Sequence, residues 1–273
     1  MPRILFLLAH PDDEFACSIR ILDASRRGLD VHCAYLTDGA YGEQSTLLRM
    51  EETTRALALL GIEPTSIHFL GSEFGFPDGR LHAYMDLAAT ELSRLIARVG
   101  GFDSVYLPAW EGGHQDHDAT HLIGAVTARQ QGVVEILQFP LYNGAGLPGP
   151  FFNVLNPLRA NGAVNAYSAG LRDRLLAIRL CLVHRSQWRT WMGILPFFIW
   201  KMLIGGRFFV QPVDSARWIE PAHSGSPLYE RRGSLDSHVF YGAVREFLNK
   251  YDVVSVADGR SPPTGGASAC DAG

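Results

Sequence analysis

The sequence predicts an α/β fold, a Rossmann-like and mostly parallel sheet flanked by helices, followed by a C-terminal apolar cap or extension. Short apolar runs alternate with segments of helical spacing as far as residue 139, and this alternation is typical of βαβ units. The first run, residues 4–9, contains no polar side chain, which indicates a strand covered on both faces. The chain has 273 residues, 47% of them hydrophobic, so it can bury a substantial core.

Strands and helices are predicted in strict alternation along the first half of the chain. The predicted strands are residues 4–9, 31–37, 66–70, 104–107 and 133–139. The predicted helices are residues 14–27, 47–60, 84–99 and 116–131. Gly28 and Gly61 follow the first two helices, where glycine commonly ends a helix. No G-x-G-x-x-G follows the first strand, which argues against a dinucleotide site.

The second half has a weaker pattern and defines the predicted domain limits. Residues 143–157 are dense in Gly and Pro and predict a long surface loop or crossover, and residues 171–187 have helical spacing again. We predict a core over residues 1–190 and an extension over residues 191–257 that packs on the core and lines the substrate site. Residues 258–273, rich in Gly, Pro, Ala and Ser, predict a disordered tail.

Composition excludes several classes of protein. A net charge of −4 offers no electrostatic footprint for nucleic acid. The N-terminal apolar run is shorter than a secretory signal requires, and the apolar stretch 191–206 contains Pro196 and Lys201 and is too short to span a bilayer. We therefore predict a cytoplasmic protein with no transmembrane segment. Four widely spaced cysteines predict reduced thiols rather than a disulfide framework: Cys17, Cys33, Cys181 and Cys270.

The first candidate site directly follows the first strand, where residues 10–14 read His-Pro-Asp-Asp-Glu. In open α/β sheets, ligands bind outside the carboxyl ends of the strands. A neutral imidazole and a carboxylate are natural zinc ligands, so His10 and an adjacent aspartate predict a metal site. The alternative is that Asp12 or Asp13 caps the following helix, but this alternative does not account for His10.

The second candidate site follows a later strand, at the same predicted edge of the sheet. His114, Asp116 and His117 lie within four residues and follow two glycines. A catalytic zinc usually has three protein ligands and one open position. His10, Asp13 and one of these histidines would supply that set, a second carboxylate would act as general base, and the other histidine, polarised by Asp116, would stabilise an oxyanion. His121 is predicted to be a solvated surface residue.

The two motifs together, AHPDDE after the first strand and HxDH after a later one, resemble the PIG-L/LmbE family of zinc-dependent N-acetylglucosaminyl deacetylases. The resemblance covers roughly the first 190 residues and includes the His-Arg-Ser-Gln stretch at 184–187. It implies one zinc ion per chain, although such ligands also accept other divalent ions. By the same resemblance the metal ligands are His10, Asp13 and His117.

The resemblance also implies the remaining roles. Asp12 would be the general base, and His114, oriented by Asp116, would stabilise the tetrahedral intermediate and protonate the amine. Arg49 would contact sugar hydroxyls. Asp78 is a weaker candidate for the same task, because a turn aspartate before glycine explains it equally well.

The aromatic stretch at 188–204 suggests a large substrate. A buried helix, an apolar lid over the substrate and a membrane-surface contact through residues 191–204 are the alternatives for this stretch. The lid would suit a small-molecule glycoconjugate, and the arrangement resembles deacetylases of glycopeptide-antibiotic biosynthesis that act on a teicoplanin-type pseudoaglycone. Alternative substrates are an aminoglycoside precursor, a mycothiol-type sugar and an inositol-linked sugar. Outside the family, the alternative is a metal-dependent phosphoesterase. Basic residues are sparse around both motifs, which disfavours a phosphoesterase.

Overall fold

A computed structural model describes residues 1–40 and 45–251, and its centre is a seven-stranded sheet. The order across the sheet is β3-β2-β1-β4-β5-β9-β8, with β1 to β5 parallel and β9 antiparallel to both β5 and β8. The strands of this sheet are β1 (Arg3–Leu8), β2 (Asp30–Tyr35), β3 (Ile67–His68), β4 (Ser104–Pro108), β5 (Glu135–Phe139), β8 (Asn165–Ser168) and β9 (Arg207–Pro212). A separate two-stranded ribbon comprises β6 (Tyr142–Asn143) and β7 (Asn153–Val154).

Helices cover both faces of the sheet. They are α1 (Ser18–Arg26), α2 (Thr46–Leu59), α3 (Leu70–Phe74), α4 (Met85–Val99), α5 (Gln115–Gln130), α6 (Leu171–Val183), α7 (Trp188–Ile204), α8 (Leu228–Arg231) and α9 (Ser237–Lys250). Alternate residues of β1 point to opposite cores. Phe6 and Leu8 join a cluster with α1, α2, α6 and α7, and Leu5 and Leu7 join a cluster with α4, α5 and α9. The mostly parallel α/β sheet predicted from the sequence is thus confirmed.

The carboxyl ends of β1 and β4 form the crevice that matters for function. The chain runs outward from β1 through β2 to β3 and then returns to place β4 on the other side of β1. Ligands bind at such reversals of strand order, outside the carboxyl ends of the strands. The segments carrying His10 and His114 follow β1 and β4, so they lie on either side of this point.

Several local predictions differ from the structure. The predicted strand 66–70 is only two residues long, and α3 begins at Leu70. The boundary predicted between residues 190 and 191 falls inside a helix, because α7 begins at Trp188 and continues through Pro196. Residues of the predicted extension enter the main sheet as β9, because their backbone pairs with β5.

Three buried cysteines, Cys17, Cys33 and Cys181, are free thiols, while Cys270 and the predicted tail 258–273 lie outside the described residues. Nowhere in residues 1–40 and 45–251 is a helix long and apolar enough to cross a bilayer.

Candidate active site

The loop after β1 is a tight turn that places two aspartates in the crevice. The Asp13 amide donates to the His10 carbonyl at 3.1 Å, and Asp13 Oδ2 accepts from the amides of Ala9 and His10 at 3.1 and 2.8 Å. Asp12 has a φ of 143°, which non-glycine residues rarely adopt. Strain of this kind persists only where neighbouring groups hold the backbone. Here the Asp12 amide donates to Glu14 Oε2 at 3.1 Å.

The loop after β4 depends on two glycines. Gly112 has a φ of 64°. A Cβ on Gly113 would lie 1.8 Å from the Tyr142 carbonyl oxygen, so only glycine fits there. His114 then caps α5, and its Nδ1 accepts from the Asp116 amide at 3.2 Å. The loop thereby directs His114 and His117 toward the turn after β1.

The predicted metal ligands come together. His10 Nδ1 lies 3.2 Å from His117 Nε2, His117 Nε2 lies 3.1 Å from Asp13 Oδ1, and His10 Nδ1 lies 3.5 Å from Asp13 Oδ2. Donor atoms at tetrahedral positions about 2.0–2.1 Å from a zinc ion are about 3.3 Å apart. Two imidazoles and one carboxylate at these spacings fit a divalent ion. His114 is close enough to form an alternative cluster with both histidines.

Carboxylates on the far side of His10 orient its ring. His10 Nε2 lies 3.2 Å from Asp116 Oδ2 and 3.4 Å from Asp78 Oδ1. Metal-binding histidines commonly donate their second ring N–H to a carboxylate in this way. Asp116 is itself held by the amides of Gly79 and Leu81. The Asp116 carboxylate therefore contacts the His10 ring, whereas the Asp116 backbone amide contacts the His114 ring.

The electrostatic field of the site favours a cation. Burial alone would lower the pKa of His10, but Asp78, Asp13 and Asp116 outweigh burial and raise that pKa well above its usual value. Burial would raise the pKa of Asp13, yet His117 and His10 hold it well below its usual range. The ionised Asp13 can bind a divalent ion directly, whereas the ion must displace the proton that the surrounding carboxylates favour on His10.

Asp12, the predicted base, is buried next to the ligands and paired with Arg49. Arg49 Nη2 donates to Asp12 Oδ1 at 3.0 Å and to the Pro11 carbonyl at 2.8 Å. Burial raises the pKa of Asp12 to about 6, with Arg49 opposing the shift. Arg49 also bonds the Gly39 carbonyl and lies 3.3 Å from Asp78. Only 3% of Arg49 is exposed, so most of its donors serve the protein itself.

His114 is held in one neutral form. Burial lowers its pKa to about 4, and the nearby His10 adds to the shift. Because Nδ1 accepts from the Asp116 amide, the proton of the neutral ring lies on Nε2. A ring nitrogen of His114 lies within 4.8 Å of ring nitrogens of His10 and His117, so the imidazole is beside the candidate metal position.

A pair of buried side chains supports the site without having been predicted to do so. Glu14, to which the sequence analysis assigns no role, is fully buried. It bonds His184 Nε2 at 2.7 Å and the Tyr35 hydroxyl at 3.1 Å. The clue available in the sequence was the His-Arg-Ser-Gln stretch, whose partner the spacing does not reveal.

Two further buried acids fix the loop that precedes His114. Glu111 accepts from the amides of Leu141 and Tyr142 at 2.8 Å. Asp118 accepts from the amides of Glu111 and Gly112 at 3.1 and 3.2 Å. Burial raises the pKa of Glu111 to about 7 and that of Asp118 to about 8. These acids bond backbone amides, a role that residue type alone does not reveal.

His121 is a correction to the sequence analysis. It was predicted to be solvated, but only 1% of it is exposed. Its Nδ1 donates to the Pro108 carbonyl at 2.8 Å and its Nε2 accepts from the Trp218 indole at 2.8 Å. The prediction was wrong because it assumed that α5 exposes the side carrying His121 to solvent. In the structure α5 is packed between the sheet and α9.

Comparison with known proteins bears on this geometry. Residues 5–128 match the family described as PIG-L, GlcNAc-PI de-N-acetylase. The uncharacterized deacetylase YaiS of Escherichia coli strain K12 is 30% identical over 131 residues, which are 46% of this chain and 68% of YaiS. The chain belongs to the PIG-L family. The matched residues contain both motifs and all three candidate metal ligands.

Two further proteins extend the comparison. The 1D-myo-inositol 2-acetamido-2-deoxy-alpha-D-glucopyranoside deacetylase of Mycobacterium sp. strain KMS is 30% identical over 183 residues. The match covers 55% of this chain and 58% of that protein's length. A crystal structure of the zinc-inhibited form of teicoplanin deacetylase Orf2 superposes with a TM-score of 0.61 at 16% identity and covers 78% of this chain and 98% of Orf2. The Orf2 likeness supports the fold.

Proposed function

We propose that this chain is a zinc-dependent deacetylase that removes the acetyl group from an N-acetylglucosaminyl moiety of a large, partly hydrophobic conjugate. The observation that carries the proposal is the cluster of His10, Asp13 and His117, whose donor atoms lie 3.1–3.5 Å apart. A buried Asp12 lies beside it, as hydrolysis requires and mere binding does not.

The chemistry assigned to these residues is amide hydrolysis. When bound, a divalent ion supplies Lewis acidity that activates water and polarises the acetamide carbonyl. Asp12 accepts the proton of the attacking water while the new C–O bond forms. The His114 Nε2–H donates to the oxygen on which charge develops, and the proton needed by the departing amine passes through the same ring. Cleavage of the C–N bond then yields acetate and the free amino sugar.

The residues around the base set its position. Arg49 holds one oxygen of Asp12 and also reaches Asp78. Asp78 contacts His10 as well, so this network links base, arginine and metal ligand. We propose that sugar hydroxyls bind at the outer rim of this network, near Asp78 and Arg49. The Asp116 carboxylate, through its contact with His10, positions that ligand.

A path of aromatic rings supports a hydrophobic substrate moiety. The His117 ring contacts Tyr142 at 5.3 Å, Tyr142 contacts Phe152 at 5.7 Å, and Phe152 contacts Phe197 of α7 at 6.4 Å between centroids. This path leads from the metal position to an exposed side chain of the predicted extension. An aromatic aglycone bound along it would place its acetylated sugar at the crevice. The teicoplanin pathway deacetylases with this fold favour a glycopeptide pseudoaglycone and a place in antibiotic biosynthesis.

A second candidate is an inositol-linked N-acetylglucosamine, and it is favoured by the sequence likeness to the mycobacterial deacetylase. That substrate is small and polar and would leave the aromatic path without a role. A phosphoesterase is disfavoured, because Arg49, the cation bonded to the candidate base, is already bonded to two carboxylates.

The test measures acetate released by the zinc-loaded protein from three substrates. These are a glycopeptide pseudoaglycone carrying N-acetylglucosamine, an inositol-linked N-acetylglucosamine and free N-acetylglucosamine. We expect kcat/KM to be at least about fivefold higher for the pseudoaglycone, since one aromatic contact contributes roughly 1 kcal/mol. Release from the free sugar at an equal rate would refute the hydrophobic moiety, and no release from any substrate would refute the deacetylase.

A matched pair of variants tests the aromatic path. Phe197→Ser should lower kcat/KM for the pseudoaglycone and leave that for free N-acetylglucosamine unchanged. Phe74→Ser, which removes a partly exposed phenylalanine from α3, should change neither value.

A further inference from the structure

Helix α7 is apolar on all sides, although only one side is buried. Trp191, Ile194, Phe198 and Met202 pack into the core. At 100° per residue, the opposite half of the helix carries a second apolar set, with Trp188 at its edge. These side chains are 55–65% exposed: Trp188, Met192, Phe197, Trp200, Leu203 and Ile204. A soluble protein rarely leaves such a continuous apolar face to water.

The neighbouring helix continues this surface. Leu171, Leu175 and Leu182 of α6 recur at helical spacing and are 55–67% exposed. Helix α6 packs against α7. Arg174 near the start of α6 donates to the Met202 carbonyl near the end of α7, so the two helices form an antiparallel hairpin. We call these exposed side chains of α6 and α7 the hairpin face.

The segment that carries the hairpin face is strongly cationic. Residues 171–207 contain seven Arg and Lys but one Asp, a formal charge of +6 in a chain whose net charge is −4. Asp173, the single acid, is bonded by Arg26 of α1 at 2.8 Å. The cations of residues 171–207 therefore have almost no acidic partner within the segment and can bind anionic groups of another molecule.

A cavity joins the apolar and cationic parts. It has a volume of about 550 Å³ and lies at the end of α7. Trp200 and Ile204 of the hairpin face line it together with Arg174, Lys201 and Arg207. In residues 1–40 and 45–251 no carboxylate forms an ion pair with any of these three cations. Arg174 and Lys201 bond neutral oxygens instead, those of Ala169 and Asn156.

We propose that the hairpin face is a docking surface for an anionic phospholipid bilayer. Exposed Trp and Leu side chains enter the boundary between headgroups and acyl chains, and surrounding arginines attract lipid phosphates, the combination that holds interfacial helices on membranes. The cavity with Arg174, Lys201 and Arg207 accepts a headgroup phosphate. The helix lies in the plane of the interface, since its other side is part of the protein core.

Docking through this face would hold the crevice near the bilayer. The exposed Phe197 belongs to α7 and also ends the aromatic path to His117. The docking proposal does not depend on the proposed deacetylation, because its readout is binding to lipid.

The experiment is co-sedimentation of the full chain with vesicles at low and high salt. We expect binding to vesicles of phosphatidylcholine with 30% phosphatidylglycerol, weakening as NaCl rises from 0.05 to 0.5 M, and at least about tenfold weaker binding to phosphatidylcholine alone. No binding to the anionic vesicles, or equal binding to both lipids, would overturn the proposal.

Matched variants locate the surface. Trp200→Ser/Leu203→Ser and, separately, Arg207→Glu should each weaken binding to anionic vesicles about tenfold. The controls Leu87→Ser and Arg55→Glu, which alter exposed residues on α4 and α2, should bind as the parent does. Loss of binding in the controls as well would refute the assignment to this face.

Two further measurements distinguish lipid docking from misfolding of the variants and from self-association of the chain. Lipids brominated near the headgroup should quench the fluorescence of Trp188 and Trp200 in the folded parent chain, which needs no variant. Light scattering reports the mass in solution. A dimer that Trp200→Ser/Leu203→Ser dissociates, in a chain that ignores vesicles, would assign the face to a second copy instead and overturn the proposal.

Discussion

At the scale of single residues, the site is a set of buried charges that restrain one another. The residue types of both motifs predicted His10, Asp13 and one histidine of the second motif as neighbours, and the family resemblance singled out His117. The structure brings these three side chains within 3.5 Å of one another. Their buried supports were not predictable in the same way. Glu14 and His184 are 170 positions apart, and no spacing rule connects them.

Substituting the base should separate binding from turnover. Asp12→Asn keeps the shape of the side chain but cannot accept a proton, so we expect kcat to fall about 10²- to 10⁴-fold. Bound zinc, measured by mass spectrometry, should stay at the parental level because Asp12 lies outside the three donors.

The controls for this prediction lie inside and outside the site. His10→Ala should lose metal and turnover together. Asp23→Asn, which alters a half-exposed acid on α1, should lose neither. An Asp12→Asn variant with parental kcat would show that another group takes the proton.

At the scale of elements, the loops after β1 and β4 each depend on an unusual backbone conformation or a close backbone contact. The alternation of apolar runs and helical segments predicted β1, β2, β4 and β5, whose residues are largely buried between helices. It was less accurate for β3, which lies at the sheet edge and has only two half-buried residues. It did not predict β8 or β9. Those two strands pair antiparallel to each other and follow the Gly- and Pro-rich segment, so they are not part of a βαβ pattern that the sequence could reveal. The hydropathy of α7 predicted an apolar helix, but not which half the core would cover.

Closing the space at Gly113 should displace the catalytic loop. In Gly113→Ala the new methyl group would lie 1.8 Å from the Tyr142 carbonyl oxygen, so the backbone must move. A shift of about 1 Å in a catalytic group costs roughly 10²-fold in kcat, which acetate release would measure.

Gly242→Ala is the matched control for that change. Gly242 lies within α9, and its Cβ would meet nothing within 4 Å. The substitution should leave kcat unchanged and raise the free energy of unfolding by up to about 1 kcal/mol. Equal kcat for both variants would mean that the Tyr142 contact does not fix the loop.

The buried His121 should make stability fall in mild acid. Burial lowers its pKa to about 4 in the folded chain, against about 6.5 in the unfolded chain. The unfolded chain therefore binds the extra proton first, so this contribution is complete above pH 6.5 and is lost as pH falls toward 4. The shift corresponds to roughly 3 kcal/mol at most.

Urea unfolding at pH 7 and pH 5 checks this direction. His121→Phe should be less stable than the parent at pH 7, because the Pro108 and Trp218 bonds are lost. Its stability should nevertheless change less between the two pH values. A parallel decline in both proteins would assign the acid sensitivity to other groups.

At the scale of the whole molecule, the ion would join two halves of the sheet. The segments after β1 and β4 contribute the candidate ligands from opposite sides of the point where strand order reverses. The family and the fold were predictable from the two motifs and from the strand pattern. The course of the chain after residue 142 was not, because its contacts with the core are long-range.

Metal should stabilise the folded chain as well as activate it. Free zinc at 100 times its dissociation constant should add about 2.7 kcal/mol to the free energy of unfolding. A chelator should abolish acetate release and lower the melting temperature, and added zinc should restore both. His117→Ala should show no response of the melting temperature to zinc; a full response would place the ion elsewhere.

The separation of the ligands along the chain also sets an order of events during synthesis. His10 and His117 are 107 positions apart. At typical translation rates the second imidazole leaves the ribosome about 5–20 s after the first. Throughout that interval the nascent chain contains only two of the three candidate ligands, His10 and Asp13. Acquisition of the ion at this site would therefore be a late step, after β4 has docked beside β1.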